Sequence, residues 1–491
     1  MLRNDMMDLL SIAVIVVFIG IYAAISTEKV DRTGTSLLGL ALVGIVFWIG
    51  STLVPDVHIS FVHVVETIEW PTILFVTSMF IVVAVAGGSG MFQYLALRLA
   101  GPSEGVYKKL YTIFLLFVFA ISLFVDNVST ILIMAPLTVQ VCQALDMDFK
   151  PLLISEAIVA NIGSIPSIVG AVPNIVIAKE ANIDAGNLFL TFMPLSFILF
   201  LVTWLILTRY FSDAFVPTDP QRVDLLFRIR PATMIKSRRD FYASIIAFAV
   251  LITGFILKPL LGIEASMVAL LVAAGLLILA HDRANEFLEE VGWSTIFFLV
   301  GLFGMVGALE IVGIIDLLGD VLVDVIGDNT VIAVVFMVTI PAVLSAFLDN
   351  LPVSAVLAPV ALRFTAVSPL LPLALVYAVN VGGNILTPLG SPSNMVAIAA
   401  SEREHDPISF ADFAKAGTLA GVFHLTFGVV WILLIEFFSL LPILLGGVVI
   451  CVVGFLVIIL PDLRGNGKPS EKEREGILTR LLNRVRGILS R

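Results

Sequence analysis

Two Asp-Asn dipeptides interrupt otherwise apolar stretches, Asp126-Asn127 within 110–145 and Asp349-Asn350 within 330–362. A charged side chain at the centre of a membrane helix costs at least about 2.5 kcal/mol even on lenient scales, so a carboxylate kept at such a place asks for a function. Glu156 is a third acid of this kind. Nearby in sequence lie the amides Asn161, Asn174, Asn380, Asn384 and Asn394, the hydroxyls Ser129, Thr130, Ser167, Ser354, Thr387 and Ser393, and the glycines Gly163 and Gly382. Carboxylate, amide and hydroxyl oxygens suit a hard cation such as Na⁺. A desolvated carboxylate also takes up and gives back a proton near neutral pH. Opposition between proton and cation at one acidic site is in itself a mechanism for antiport, with Asp126, Asp349 and Glu156 as the candidate proton-coupling groups.

These residues need a membrane to make sense. The 491 residues are 59% hydrophobic and 13% charged, where soluble domains carry about 25% charge. Such a chain cannot dress a water-facing surface, and its net charge of −10 argues against nucleic acid as a partner. Apolar runs of spanning length fall at 9–25, 36–54, 72–92, 152–178, 187–208, 241–257, 265–281, 293–309, 370–398, 416–435 and 438–460. The first has a partner in the second half of the chain, which favours a retained span over a cleaved signal peptide. Alternating the intervening loops places 24 of the 28 Lys and Arg on one side, leaving Arg3, Lys179, Lys258 and Arg363 on the other. The positive-inside rule then predicts an outside N-terminus and a cytoplasmic C-terminus. No Lys or Arg remains in the interior to receive a multiply charged anion.

The chain is duplicated. FVDNVSTILIMAP at 124–136 answers FLDNLPVSAVLAP at 347–359, and NIGSIPSIVGAVPN at 161–174 answers NVGGNILTPLGSPSN at 380–394. Each half holds five spans and one broken segment, and an odd number of spans turns the second half upside down. Inverted repeats with interrupted segments in matching positions are the pattern of secondary transporters, whose sites lie at the breaks. Gly163, Pro166, Gly170 and Pro173 in one copy, and Gly382, Gly383, Pro388, Gly390 and Pro392 in the other, forbid a continuous helix: Pro costs about 3 and Gly about 1 kcal/mol in a helix interior. Freed carbonyls suit a cation and half-helix N-termini an anion. Each Asp-Asn is either a hydrated turn between two spans or the tip of a re-entrant hairpin. The residues ahead of each nearly suffice to span, which favours a turn, whereas the inverted duplication favours a tip.

Other features read more simply. Glu156 has no acidic counterpart, its repeat position being Leu375, and serves either proton handling or helix packing. His424 reads as a packed scaffold residue. Cys142 and Cys451 are too few for a disulfide framework and lack zinc spacing. The linker carries no phosphate-binding glycine motif, and neither His-Glu-x-x-His nor Gly-x-Ser-x-Gly occurs, which argues against an ATPase domain or a membrane hydrolase. ILTRLLNRVRGILSR at 477–491 has the apolar and basic faces of a surface anchor.

FVDNVSTILIMAPLTV followed by LLISEAIVANIGSIPSIVGAVPNIVIA, with FLDNLPVSAVLAPV and NVGGNILTPLGSPSNMVAIA in the second half, resembles the paired motifs of the ion transporter superfamily. The resemblance is to the branch of arsenite permeases, NhaD-type sodium/proton antiporters and the melanosomal P protein. It implies re-entrant hairpins, a scaffold part, a moving transport part and a homodimer. In the related dicarboxylate/sodium symporters the tips read Ser-Asn-Thr and hold sodium with the unwound loops. The matching positions are Asp126-Asn127-Val128 and Asp349-Asn350-Leu351, so both tips are acidic here. The branch's first loop commonly carries an acid where this chain has Ala171.

The sequence therefore predicts an all-α polytopic membrane protein, an inverted repeat of five spans plus one re-entrant hairpin each, with about 11 transmembrane helices, two hairpins and helices unwound at the midplane. The expected organisation is a first repeat at 1–208, a cytoplasmic linker at 209–240, a second repeat at 241–436, an additional span at 437–461 and a basic cytoplasmic tail at 462–491. The expected function is a secondary transporter in the cell membrane that exchanges a monovalent cation such as Na⁺ for protons. Proton-coupled efflux of arsenite or antimonite is the first alternative, and sodium-coupled uptake of citrate or a dicarboxylate the second. The expected partners are a small inorganic ion and the bilayer, with no cofactor, no nucleic acid and no metal other than Na⁺.

Overall fold

The computed structural model describes residues 2–464 apart from 27–29, 54–59, 69, 217–230, 262, 316, 318, 319, 322–325, 328 and 439. The middle of the predicted linker and nearly all of the basic tail lie outside the described residues. The described chain is helical throughout, with no strand. Its first half runs α1 (Leu2–Ser26), α2 (Arg32–Leu53), α3 (Phe61–Glu66), α4 (Trp70–Gly88), α5 (Met91–Ala100), α6 (Tyr107–Ile121), α7 (Asn127–Leu145), α8 (Lys150–Ser164), α9 (Val172–Glu180) and α10 (Ala185–Tyr210). The second half runs α11 (Arg238–Leu261), α12 (Ala265–Ala280), α13 (Ala284–Glu289), α14 (Trp293–Ile311), α15 (Thr330–Phe347), α16 (Asn350–Arg363), α17 (Leu371–Gly382), α18 (Pro392–Arg403) and α19 (Phe410–Phe438), followed by α20 (Leu440–Gly454) and α21 (Leu460–Arg464). Among the described residues, nine helices are long and apolar enough to cross a membrane, and large apolar side chains such as Leu271, Ile278, Leu441 and Leu445 stand exposed. This is the surface of a multi-pass membrane protein.

The duplication is visible in the element boundaries. α3 and α13 begin at Phe61 and Ala284, α4 and α14 at Trp70 and Trp293, α6 and α15 at Tyr107 and Thr330, and α7 and α16 at Asn127 and Asn350. Both α7 and α16 start where an aspartate makes them start. The Asp126 carboxylate accepts the N–H of Ser129 at 3.0 Å and the Asp349 carboxylate that of Leu351 at 3.0 Å, satisfying donors that a helix N-terminus leaves open. Both broken helices stop where predicted: α8 ends at Ser164 ahead of Pro166, and α17 at Gly382.

Packing divides the chain into two compact units. One comprises Met1–Gly90, Val172–Ala185 and Lys236–Gly383, the other Met91–Ala171, Gly186–Ile235 and Asn384–Arg491. Within the first unit α16 and α17 pack against α9, and within the second α7 and α8 pack against α18. Each unit thus holds the hairpin and incoming half-helix of one repeat together with the outgoing half-helix of the other.

Candidate ion-binding site

In the second unit the first tip is buried rather than hydrated: Asn127 is 3% exposed and its N–H donates to the Gly170 carbonyl at 3.0 Å. The tip therefore meets the broken segment, as a hairpin does and a surface turn does not. Gly163 and Gly170 allow this approach. A Cβ on Gly163 would stand 2.8 Å from the Phe119 carbonyl oxygen, and one on Gly170 would stand 2.4 Å from that of Ser122.

Asn161 is the hub of this site. Its Oδ1 accepts from Asn127 Nδ2 at 2.5 Å, Ser391 Oγ at 3.0 Å and Ser393 Oγ at 3.2 Å. Its Nδ2 donates to Asn384 Oδ1 at 2.7 Å and Asn394 Oδ1 at 3.2 Å. Five predicted residues, Asn127, Asn161, Asn384, Ser393 and Asn394, thus converge, and Ser391, which sequence reasoning passed over, joins them. Asn384 also donates to the Ile158 carbonyl at 3.3 Å, tying the second broken segment to α8.

The first unit repeats the plan. Asn380 Nδ2 donates to Asn174 Oδ1 at 2.6 Å and to the Val376 carbonyl at 2.7 Å. Asn350 is 2% exposed, and its Nδ2 has no hydrogen-bond partner. A Cβ on Gly382 would stand 2.4 Å from the Ala342 carbonyl oxygen, the repeat equivalent of the contact between Gly163 and Phe119. Gly382 and Gly163 are therefore packing residues that let a broken helix touch its hairpin.

The remaining predicted residues have local roles. Ser129 bonds Asp126, Thr130 Oγ1 makes a long contact of 3.5 Å to the Val125 carbonyl, and Ser354 Oγ donates to the Leu351 carbonyl. Ser167 and Thr387 accept from Val169 N–H and Leu389 N–H and shape the two loops. Glu156, fully buried on α8, accepts from Thr138 Oγ1 of α7 at 2.7 Å, and no bond joins it to the asparagine hub. His424 shares a hydrogen bond of 2.7 Å with Thr203.

Two further serines escaped sequence reasoning. Ser122 and Ser345 stand four residues ahead of Asp126 and Asp349 and are fully buried. Ser345 Oγ donates to the Val379 carbonyl at 2.9 Å, whereas Ser122 Oγ has no partner. The signal available in the sequence was their shared distance from the aspartate.

Electrostatics single out the second unit. The buried charged side chains among the described residues are Lys109, Asp126, Glu156 and Asp240. Lys109 pairs with Glu104 at 3.2 Å, and Asp240 pairs with Arg239 at 3.1 Å and Arg283 at 3.0 Å. Asp126 and Glu156 have no cation beside them.

The family model described as citrate transporter matches residues 22–379, which take in both tips, the first break and Glu156. The chain belongs to the citrate transporter family. The match stops one residue before Asn380, so the second break lies beyond it. This family member is 30% identical over 415 residues to a 46 kDa membrane protein of Mycobacterium leprae, covering 83% of this chain and 95% of the relative. It is 26% identical over 497 residues to the human P protein, covering 84% of this chain and 58% of that protein. Among solved structures, the YdaH transporter of Alcanivorax borkumensis, a protein of unusual topology, aligns with a TM-score of 0.52 at 13% identity, over 84% of this chain and all of its own. That likeness shows the fold. The chain is a membrane transporter, not an enzyme.

Proposed function

We propose that this family member is a secondary transporter that exchanges a monovalent cation such as Na⁺ for protons by alternating access. One observation carries the reading: the two buried charges without an opposite partner, Asp126 and Glu156, are both acidic and both belong to the unit that holds the Asn161 hub. Amide and hydroxyl oxygens surround that hub, and the carboxylate of Asp126 adjoins its partner Asn127, a donor set suited to a hard cation. Asp126, Asn127 and the open hydroxyl of Ser122 would hold the ion at one tip, with Asp349 and Asn350 at the other. The same reading keeps the N-terminus outside, the C-terminus in the cytoplasm and the protein in the cell membrane.

A second reading is proton- or cation-coupled uptake of citrate, favoured by the family's description. The N-terminus of α18, carrying Ser393 and Asn394, would supply donors for a carboxylate. With no basic side chain in the bonded network, a tricarboxylate would need cations bound with it.

Counterflow in proteoliposomes with Na⁺, Li⁺, K⁺, arsenite and citrate, read together with lumenal pH, tests the choice. The expected result is Na⁺ or Li⁺ counterflow accompanied by opposite proton movement, reduced about tenfold or more in Asp126→Asn and Asp349→Asn. Those variants should stay folded, because Asn caps a helix as well as Asp does. Counterflow of citrate without any cation exchange would replace this reading with the second.

A further inference from the structure

The carboxylates of both tips already have work to do as acceptors. Each caps the first turn of its hairpin helix, a role that an anion fills and that needs no proton. Glu156 differs. It is fully buried, Thr138 Oγ1 bonds its Oε1 at 2.7 Å, and its Oε2 has no partner.

The surroundings offer no counter-charge. The titratable groups within electrostatic reach are Tyr107 and Tyr111 of α6 and Cys142 of α7, all of types that are ordinarily neutral near pH 7; the lysines of α6 are engaged elsewhere, Lys108 by Asp462 at 2.9 Å and Lys109 by Glu104 at 3.2 Å. Lys150, on the first turn of α8, is engaged by Asp406 at 2.7 Å. Helix α10, which reaches α8 through Ser196, carries Arg209 only in its last turn. Helices α18 and α19, which also pack on α8, carry Glu402, Arg403, Asp412, Lys415, His424 and Glu436, and none of these acts on Glu156. An isolated ionised carboxylate in such a place is expensive, and binding a proton removes the cost.

Packing alone does not call for this acid. In the other repeat the positions corresponding to Thr138 and Glu156 are Ala361 and Leu375, both fully buried. An apolar pair thus fills the equivalent place, as expected where a buried polar pair gives no net stability.

We infer that Glu156, rather than either tip aspartate, carries the transported proton, and that proton coupling therefore resides in one repeat only. This rests on the proton-coupled reading above. The step is a proton transfer alone: Glu156 takes a proton from water on one side of the membrane and returns it to water on the other. A cation at the tip favours the ionised form of Glu156 and a proton neutralises it, so ion and proton oppose each other.

The test compares the full-length protein with Glu156→Gln, Glu156→Asp and the double variant Thr138→Ala/Glu156→Leu in proteoliposomes. The double variant copies the apolar pair of the other repeat and guards against a folding failure of Glu156→Gln. Both Glu156→Gln and the double variant should lose accumulation driven by a pH gradient by about tenfold or more, and the solute counterflow that remains at equal pH should show a flat pH profile. Glu156→Asp should restore the driven accumulation. Driven accumulation that survives in Glu156→Gln or in the double variant overturns the inference and leaves the cation reading standing. If the unaltered protein exchanges citrate but no cation, the cation reading falls. The inference then stands or falls on whether Glu156→Gln uncouples citrate from the pH gradient.

Discussion

At the first tip the amide of Asn127 is bonded to Asn161 and the buried group left open is the hydroxyl of Ser122; at the second tip the hydroxyl of Ser345 is bonded to the Val379 carbonyl and the group left open is the amide nitrogen of Asn350. The backbone plan is shared, down to a glycine pressed against a hairpin carbonyl in each copy. The polar filling is not shared. Duplication copied the scaffold, whose spacing is set by packing, while the hydrogen bonds and the buried Glu156 diverged. An open buried polar group costs about 1–3 kcal/mol, so each unit keeps an open group beside its tip at a cost in stability.

The largest expected difference between the copies lies at their central amides. Asn161→Ala removes the common partner of Asn127, Asn384, Asn394, Ser391 and Ser393 and should cost about 3 kcal/mol or more, since each buried bond is worth about 1 kcal/mol. Asn380→Ala, which removes one bond to Asn174 and one to the Val376 carbonyl, should cost about 2 kcal/mol. Thermal unfolding midpoints in detergent rank the two, and equal losses would break the comparison.

Next come the glycines. Gly382→Ala and Gly163→Ala force a methyl against backbone at 2.4 and 2.8 Å, and overpacking of this kind costs about 1–3 kcal/mol. The same unfolding assay should show both variants destabilised, Gly382→Ala more so. A smaller contrast sharpens the reading of the open amide. Asn350→Leu should be close to neutral or stabilising, because it removes a group with an unsatisfied nitrogen, whereas Asn127→Leu should cost about 1 kcal/mol by removing one of the bonds to Asn161 Oδ1.

Much of this site could be read in the sequence for one physical reason. Charged and helix-breaking residues are costly in a membrane, so Asp126, Asp349, Glu156 and the Gly-Pro breaks stand out against apolar surroundings, and their recurrence in order marks them as a pair. Ser122, Ser345 and Ser391 carry no such cost signal, because a serine in a membrane helix can bond its own backbone. Only their positions relative to the tips would have revealed them. Nor did the sequence indicate that α9 packs with α16 and α17 while α18 packs with α7 and α8. Two similar half-helices offer similar apolar faces, and which hairpin each joins is decided by tertiary packing.

The smallest effect lies at the periphery. Lys150 bonds Asp406 at 2.7 Å, and that bond raises the lysine's pKa. A raised lysine stabilises the fold at pH values below its unfolded pKa and loses this contribution as pH rises through the folded value. Lys150→Ala should therefore change stability by less than about 1 kcal/mol at neutral pH, with the difference shrinking in high salt and at strongly alkaline pH. Unfolding midpoints across pH and salt would show it.

In the proposed mechanism, cation binding and proton binding oppose each other at an acidic site of this transporter. Calorimetric titration of Na⁺ and of Li⁺ into the purified protein, in buffers of differing ionisation enthalpy, counts the protons displaced per ion. The expected result is binding of at least one of the two ions that weakens as pH falls and releases up to about one proton per ion, with the release abolished by Glu156→Gln. Ion binding that is independent of pH, or no binding of either ion at any pH, would contradict it.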